Sequence, residues 1–179
     1  MFLLSSFGVS LKKITPKNIA FTAIFAAIGI LFGTILLIPT PVPNVYLDLS
    51  HIGTVLSAML LGPVFGGITG FIVGIGPGIT FGNFFVPPFK ALTGILVAIL
   101  SKKTRPGVAV FVGYLPEAFL TYLTLAVLKI PYDLPLPVIY TILLKAFAEF
   151  IILAILMEII MRNNGIKRFL ESKVGFLYL

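Results

Sequence analysis

The chain has 179 residues, of which 59% are hydrophobic and only 11% are charged, and its formal net charge is +7. An average soluble domain is about 45–50% apolar and about 25% charged, so this composition excludes a soluble enzyme, a disordered regulator and a coiled coil. The absence of cysteine excludes disulfides and thiolate chemistry, and a single histidine argues against a multi-histidine metal cage.

Apolar runs long enough to cross a bilayer follow one another along the chain. About 20 mostly apolar residues suffice for one crossing. The first run follows Thr15 and Pro16, which suit the N-cap and the first turn of a helix. Gly62-Pro63 interrupts a longer apolar region, Val45–Gly78, which could form one kinked helix or two short ones. We predict a single all-α membrane domain over residues 1–179, with spans at 19–38, 45–61, 63–78, 84–101, 107–128 and 136–161.

The positions of the basic residues decide how often the middle region crosses. Cytoplasmic loops of membrane proteins carry an excess of Lys and Arg. If Val45–Gly78 crosses twice, ten of the thirteen basic residues fall on one side, and six spans with both termini in the cytoplasm result. The charge is then chiefly a topology signal, with attraction to anionic lipid secondary, and it does not indicate nucleic-acid binding. The ten residues are Lys12, Lys13, Lys17, Lys102, Lys103, Arg105, Arg162, Lys167, Arg168 and Lys173.

The three loops predicted on the outer side are rich in proline, and together they concentrate aromatic and polar side chains. They comprise residues 39–51, 76–88 and 129–135. A small pocket for a planar ligand would use rigid backbone, flat apolar faces and a few polar groups. Stiff loops with aromatic anchors at the membrane interface are the alternative.

Ionisable residues inside the predicted spans are the sharper clue, because such groups are costly in a bilayer and usually functional. Lys145 and Glu149 are spaced i, i+4 and can pair on one helix face. Glu117 follows Pro116, which can kink a helix, and Lys90 lies near the outer side. These residues could form ion pairs between helices, a ligand pocket, or an ion or proton path.

No catalytic set is evident in the chain. His51 begins the second span beside Asp48, where a hydrogen-bonding role at a helix start is favoured over metal ligation. No nucleophile elbow and no phosphate-binding glycine loop accompany them. We therefore expect no enzyme, no metal and no cofactor, and any ATP-driven step requires a partner.

Small residues recur at helical spacing in two spans. Gly66, Gly70 and Gly74 form a smooth stripe that favours close helix packing, with a role in gating as the alternative. Ala23 and Ala27 share one face of the first span, which can pack internally or dock another membrane protein.

The combination resembles the substrate-binding S component of energy-coupling factor (ECF) transporters. The matching features are Ala23-xxx-Ala27, Asp48-Leu49-Ser50-His51, Leu61-Gly62-Pro63 with glycines after it, and six spans in about 180 residues. The resemblance covers nearly the whole chain. It implies a multi-pass protein of a prokaryotic plasma membrane that captures a vitamin or related micronutrient outside. Its partner would be a transmembrane coupling protein that carries two cytoplasmic ATPases.

The resemblance also implies roles for particular residues. Ala23 and Ala27 would contact the coupling protein, and the ligand would lie near the outer side with the first loop as a lid. The protein would bind its ligand outside and reorient in the membrane while docked. No sequence signature identifies the ligand. By position, the ligand-binding candidates are Asp48, Asn83, Lys90, Tyr114, Glu117, Lys145 and Glu149.

A function of another class remains open beside this one. A stand-alone secondary transporter or channel could use Glu117, Lys145 and Glu149 as a proton or ion relay. Many secondary transporters are built from internal repeats, and none is obvious in this sequence.

Overall fold

The computed structural model describes residues 14–43, 45–166, 168 and 172. This part of the chain is built on six α-helices: α1 (Pro16–Ile35), α2 (His51–Leu61), α3 (Pro63–Thr80), α4 (Val86–Ser101), α5 (Pro106–Tyr122) and α6 (Leu136–Arg162). A π-helical segment, Leu123–Val127, continues α5. Between α1 and α2, the short strands β1 (Ile38–Pro39) and β2 (Tyr46–Leu47) pair antiparallel and form a hairpin.

Helix boundaries follow the local signals that the sequence carries. The Thr15 hydroxyl caps α1 by accepting a hydrogen bond from the Asn18 amide at 3.2 Å, and Pro16 occupies the first turn, as predicted. Gly62 separates α2 from α3 with a φ of 99°, a conformation that glycine adopts without a steric penalty. Pro63 then begins α3, so the predicted break at Gly62-Pro63 is confirmed.

Successive helices run antiparallel, so the loops that join them alternate between the two ends of the bundle. At one end the Gly107 amide at the start of α5 donates to the Glu158 carboxylate near the end of α6, at 2.9 Å. At the other end Lys90 of α4 contacts Ser50, just before α2. We call the first the basic end and the second, which carries the hairpin, the loop end. The basic residues described at the basic end are Lys17, Lys102, Lys103, Arg105 and Arg162.

The prediction of six spans agrees with the number of α-helices in the described residues, but two of these helices are short. Four are long and apolar enough to cross a membrane: α1, α3, α5 with its π segment, and α6. The predicted helix start at His51 is confirmed, but the bound of the span at residue 45 is too early, because Tyr46–Leu47 pair with the first strand. Eleven helical residues rise about 17 Å, roughly half a hydrocarbon core.

Six crossings and the location of both termini therefore stay predictions. Four of the basic residues used for that prediction lie outside the described residues: Lys12, Lys13, Lys167 and Lys173.

The short helix α2 forms the centre of the bundle. Every residue of α2 except Leu56 is buried, and the helix packs against α1, α3 and α4. The glycines of α3 allow α4 to approach closely. A β-carbon at Gly70 would lie 2.3 Å from the Lys90 carbonyl oxygen, and one at Gly66 would lie 2.9 Å from the Gly94 carbonyl oxygen. The predicted packing role of this glycine stripe is confirmed.

Substituting Gly70 should separate α3 from α4. We expect Gly70→Ala to lower the free energy of unfolding by about 1–3 kcal/mol, because the added methyl group meets backbone rather than a movable side chain. Gly76→Ala is the matched control, since a β-carbon there would meet nothing within 4 Å apart from its chain neighbours and the adjacent backbone of its own helix. Thermal unfolding in detergent compares the two variants, and equal loss of stability in both would contradict the packing account.

Candidate functional site

Ionisable side chains from several elements converge around the first turn of α2 at the loop end. The loop before α2 contributes one of them, α2 and α4 one each, α5 one and α6 two. Groups of this kind inside an apolar bundle are costly and usually mark a functional site. We call this set the charged cluster, and its members are Asp48, His51, Lys90, Glu117, Lys145 and Glu149.

The inner half of the cluster is a chain of contacts through His51. The Lys90 ammonium group donates to the Ser50 hydroxyl at 2.7 Å and lies 3.4 Å from His51 Nδ1. On the other side of the ring, Nε2 lies 3.3 Å from both carboxylate oxygens of Glu117. The Thr93 hydroxyl also donates to Glu117. Glu117 is thus held from α2 and α4 while its own backbone belongs to α5.

These contacts favour one tautomer of a neutral His51 ring. A charged Lys90 ammonium group has donors and no acceptor, so beside it Nδ1 accepts and carries no proton. The proton of the neutral ring then lies on Nε2, from which it is donated to the Glu117 carboxylate.

The outer half of the cluster ties the hairpin to α6. Lys145 Nζ lies 3.1 Å from Asp48 Oδ2 and 3.0 Å from Glu149 Oε1, so the predicted Lys145–Glu149 pair is confirmed. The Asp48 amide donates to the same Glu149 oxygen at 2.6 Å, and Asp48 Oδ1 accepts from the Ser50 amide. Both the backbone and the side chain of Asp48 are therefore fixed.

Burial differs across the cluster. Lys90 and His51 are each 6% exposed, Glu117 is 7% exposed and Glu149 is 2% exposed. The side chains of Asp48 and Lys145 are 18% and 19% exposed. The inner half is therefore sealed within the bundle, whereas the Asp48–Lys145 contact lies closer to its surface.

Aromatic rings lie directly against the cluster. The rings of Tyr114 and Phe150 stack with centroids 3.8 Å apart and planes 10° apart. The rings of His51 and Phe150 pack in an edge-to-face arrangement with centroids 4.7 Å apart. Those of Phe147 and Tyr114 do the same with centroids 5.7 Å apart. We call Tyr114, Phe147 and Phe150 the aromatic wall. Flat apolar surface beside a few oriented polar groups is the usual composition of a small-molecule site.

Comparison with known proteins decides the class. The sequence profile of the family described as "ECF-type riboflavin transporter, S component" matches residues 13–166. This chain belongs to that family. The family and the apolar helices together indicate a membrane protein. The resemblance deduced from the sequence is confirmed.

Individual relatives match over a shorter stretch. A UPF0397 protein of Streptococcus agalactiae serotype Ia is 41% identical over 58 residues, which are 32% of this chain and 32% of that protein. A UPF0397 protein of Lactococcus lactis subsp. cremoris is 35% identical over 65 residues, 36% of this chain and 35% of that protein. The alignments thus span about a third of these relatives. No solved structure gives a significant match.

For this S component, the structure brings most of the predicted ligand-binding residues together. Asp48, Lys90, Glu117, Lys145 and Glu149 are all in the charged cluster, and Tyr114 is in the aromatic wall. Asn83 lies elsewhere, in the turn between α3 and α4. Its side-chain oxygen accepts from the Phe85 amide at 3.1 Å and so shapes the start of α4. A role for Asn83 in ligand binding stays a prediction.

The predicted docking residues lie on the outside of the bundle. Ala23 and Ala27 are exposed on α1, together with Ala20 and Ile24. Because these side chains are exposed, another helix could pack against this face of α1. Contact with a coupling protein stays a prediction.

Sequence reasoning missed the central residue of the site. It gave His51 a hydrogen-bonding role at a helix start, and it did not include Ser50, Thr93 or Phe150 among the ligand-binding candidates. Thr93 could have been found from helical spacing, because it lies one turn after Lys90 on the same helix. The place of His51 between Lys90 and Glu117 depends on contacts 39 and 66 positions apart in the chain.

Proposed function

We propose that this S component binds its ligand at the charged cluster, beneath the hairpin at the loop end. The convergence of ionisable groups from separate elements on the buried His51 carries this proposal. A bundle held together only by packing would gain little from burying them, since replacing buried ion pairs by apolar side chains is often neutral or stabilising. The burial of these groups together beside the aromatic wall supports a binding role.

The proposed ligand is a vitamin-sized molecule with a planar part and a polar edge. The stacked rings of Tyr114 and Phe150 offer a flat apolar surface, and the charged cluster offers donors and acceptors next to it. Riboflavin, which the description of the family names, has a flat ring system with hydrogen-bonding edges. It is therefore the first compound to test.

Entry of the ligand requires the hairpin to move. Asp48 is the residue through which the end of the hairpin contacts Lys145 and Glu149 of α6. Separation of these contacts would open the cluster toward the loop end, and a bound ligand would replace some of them. The hairpin would then act as the lid of the site.

The proposed orientation follows the positive-inside rule. The basic end faces the cytoplasm, where the loop between α4 and α5 carries Lys102, Lys103 and Arg105, and the loop end faces outward. Six crossings with both termini in the cytoplasm of a prokaryotic cell fit this orientation. The central, buried α2 needs little lipid contact of its own, because α1, α3 and α4 surround it.

Transport would require partners on the exposed face of α1. Ala20, Ala23 and Ala27 present small side chains that permit close approach of another helix. We propose that a transmembrane coupling protein with two cytoplasmic ATPases docks there and that ATP hydrolysis drives reorientation of the S component. Membership in a family of binding components argues against the stand-alone transporter considered from the sequence.

Glu117→Gln should weaken ligand binding at least tenfold. The neutral amide replaces a buried carboxylate, and a hydrogen bond to a charged group is worth about 1.5–3 kcal/mol. Native mass spectrometry of the purified protein identifies the bound compound, and isothermal titration calorimetry measures its affinity, with riboflavin tested first. Glu158→Gln is the matched control at the basic end. Unchanged affinity in Glu117→Gln would remove Glu117 from the site.

Ala23→Trp should prevent assembly with the coupling module and leave ligand affinity unchanged. The indole ring would fill the space into which a neighbouring helix must come. Ile155→Trp, on an exposed face of α6, is the control for a bulky aromatic residue on the outside of the bundle. Co-purification of the coupling protein with each variant measures docking. Intact complexes with Ala23→Trp would show that another surface docks.

A further inference from the structure

Helix α1 supplies no side chain to the charged cluster, yet its inner face lies against the loop segment that leads into the cluster. This segment is residues 48–50, which connect the hairpin to α2. Gly29 and Gly33 are one turn apart on α1, and both lie against this segment. We call these two glycines the glycine seat.

The loop segment lies too close to the glycine seat for larger residues to fit there unchanged. A β-carbon at Gly29 would lie 2.7 Å from the Ser50 carbonyl oxygen, which belongs to the backbone. A β-carbon at Gly33 would lie 3.0 Å from the Ser50 β-carbon and 3.9 Å from Asp48 Oδ1. Glycine at both positions therefore allows the segment to pack directly on the α1 backbone.

The same crossing holds the first turn of α2. A β-carbon at Gly53 would collide with the Phe25 carbonyl oxygen of α1. Ser50 and Gly53, on either side of His51 in the chain, thus both lie against the α1 backbone. Closely packed interiors have low compressibility and transmit displacements, so a change at this crossing reaches the start of α2.

The residues that rest on the glycine seat connect the hairpin to the cluster. The Ser50 hydroxyl accepts from Lys90 at 2.7 Å, and the Ser50 amide donates to Asp48 Oδ1 at 2.9 Å. Asp48 Oδ2 in turn lies 3.1 Å from Lys145 Nζ. A shift of Ser50 would therefore reach a lysine of α4 directly and a lysine of α6 through Asp48.

We propose that Gly29 and Gly33 are positioning residues of the ligand site, which act through Ser50 and Asp48. This inference rests on the proposed function, since it concerns the geometry of the same site. The contact of Lys90 with Ser50 is already at the short end of the range for nitrogen–oxygen hydrogen bonds. A larger residue at the glycine seat would displace Ser50, and the donors and acceptors of the site would leave their native places.

The ring of His51 reports this effect in the empty protein, because the chain has one histidine and it follows Ser50. We expect Gly33→Ala to shift the NMR signals of the ring. Gly107→Ala is the matched control, since its added β-carbon lies 2.8 Å from the Ala154 carbonyl oxygen at the basic end, and it should leave the signals unchanged. Unchanged signals in Gly33→Ala, or equal shifts in both variants, would overturn the inference, whatever compound the site holds.

The affinity for riboflavin, measured by titration calorimetry in detergent, tests the consequence for binding. Gly33→Ala should weaken binding about three- to tenfold, as expected when one or two hydrogen bonds of the site are strained. Gly107→Ala should lower the Tm and leave the affinity unchanged, so a loss of stability alone cannot imitate this result.

Glu117→Gln separates failure of this inference from failure of the proposed function. Unchanged affinity in Gly33→Ala, with binding weakened in Glu117→Gln, would overturn the inference alone. Unchanged affinity in both variants would overturn the proposed function and the inference with it.

A double-mutant cycle tests whether Gly33 acts through Ser50. Ser50→Gly removes the β-carbon that the added methyl group of Gly33→Ala would meet. In that background, Gly33→Ala should change the riboflavin affinity by less than about twofold, because the two substitutions affect one contact and are not additive. A loss as large as that in the otherwise unchanged protein would indicate a general structural role for Gly33 and would overturn the positioning role.

Discussion

Lys90 is buried inside an apolar bundle, and the groups that surround it determine how the loop end is assembled. Its ammonium group contacts Ser50 and His51, and His51 in turn contacts Glu117. A buried cation that lost these partners would cost several kcal/mol. The hairpin end, α2, α4 and α5 must therefore meet in one arrangement, and the nearby contacts of Glu149 with Asp48 bring α6 into the same arrangement.

The glycine stripe of α3 helps to position the charged cluster, because it determines how closely α4 packs against α3. Gly70 lies against the Lys90 backbone, and Gly74 lies against Pro87 in the first turn of α4. Because α4 can approach α3 so closely, Lys90 and Thr93 reach the first turn of α2 and the Glu117 carboxylate. Residues without side chains thus position the residues whose side chains are proposed to bind the ligand.

The structural features that depend on interactions between residues close in the chain could be predicted from the sequence. Thr15 and Pro16, the Gly62-Pro63 break and the Lys145–Glu149 pair could all be predicted from spacing. The strand pairing of Tyr46–Leu47 could not, because it depends on contacts across the hairpin. The role of His51 could not either, since its two partners come from α4 and α5 and only packing of the bundle brings them to opposite sides of the ring.

The central claim is that the charged cluster is where the S component holds its ligand. A high-resolution experimental structure of the protein with the small molecule that co-purifies with it tests this claim most directly. The account predicts that the molecule lies beneath the hairpin, touches the aromatic wall and accepts or donates hydrogen bonds within the cluster, with Glu117 among its partners. A molecule bound elsewhere, with the contacts of Lys90, His51 and Glu117 unchanged and no ligand atom near them, would contradict it.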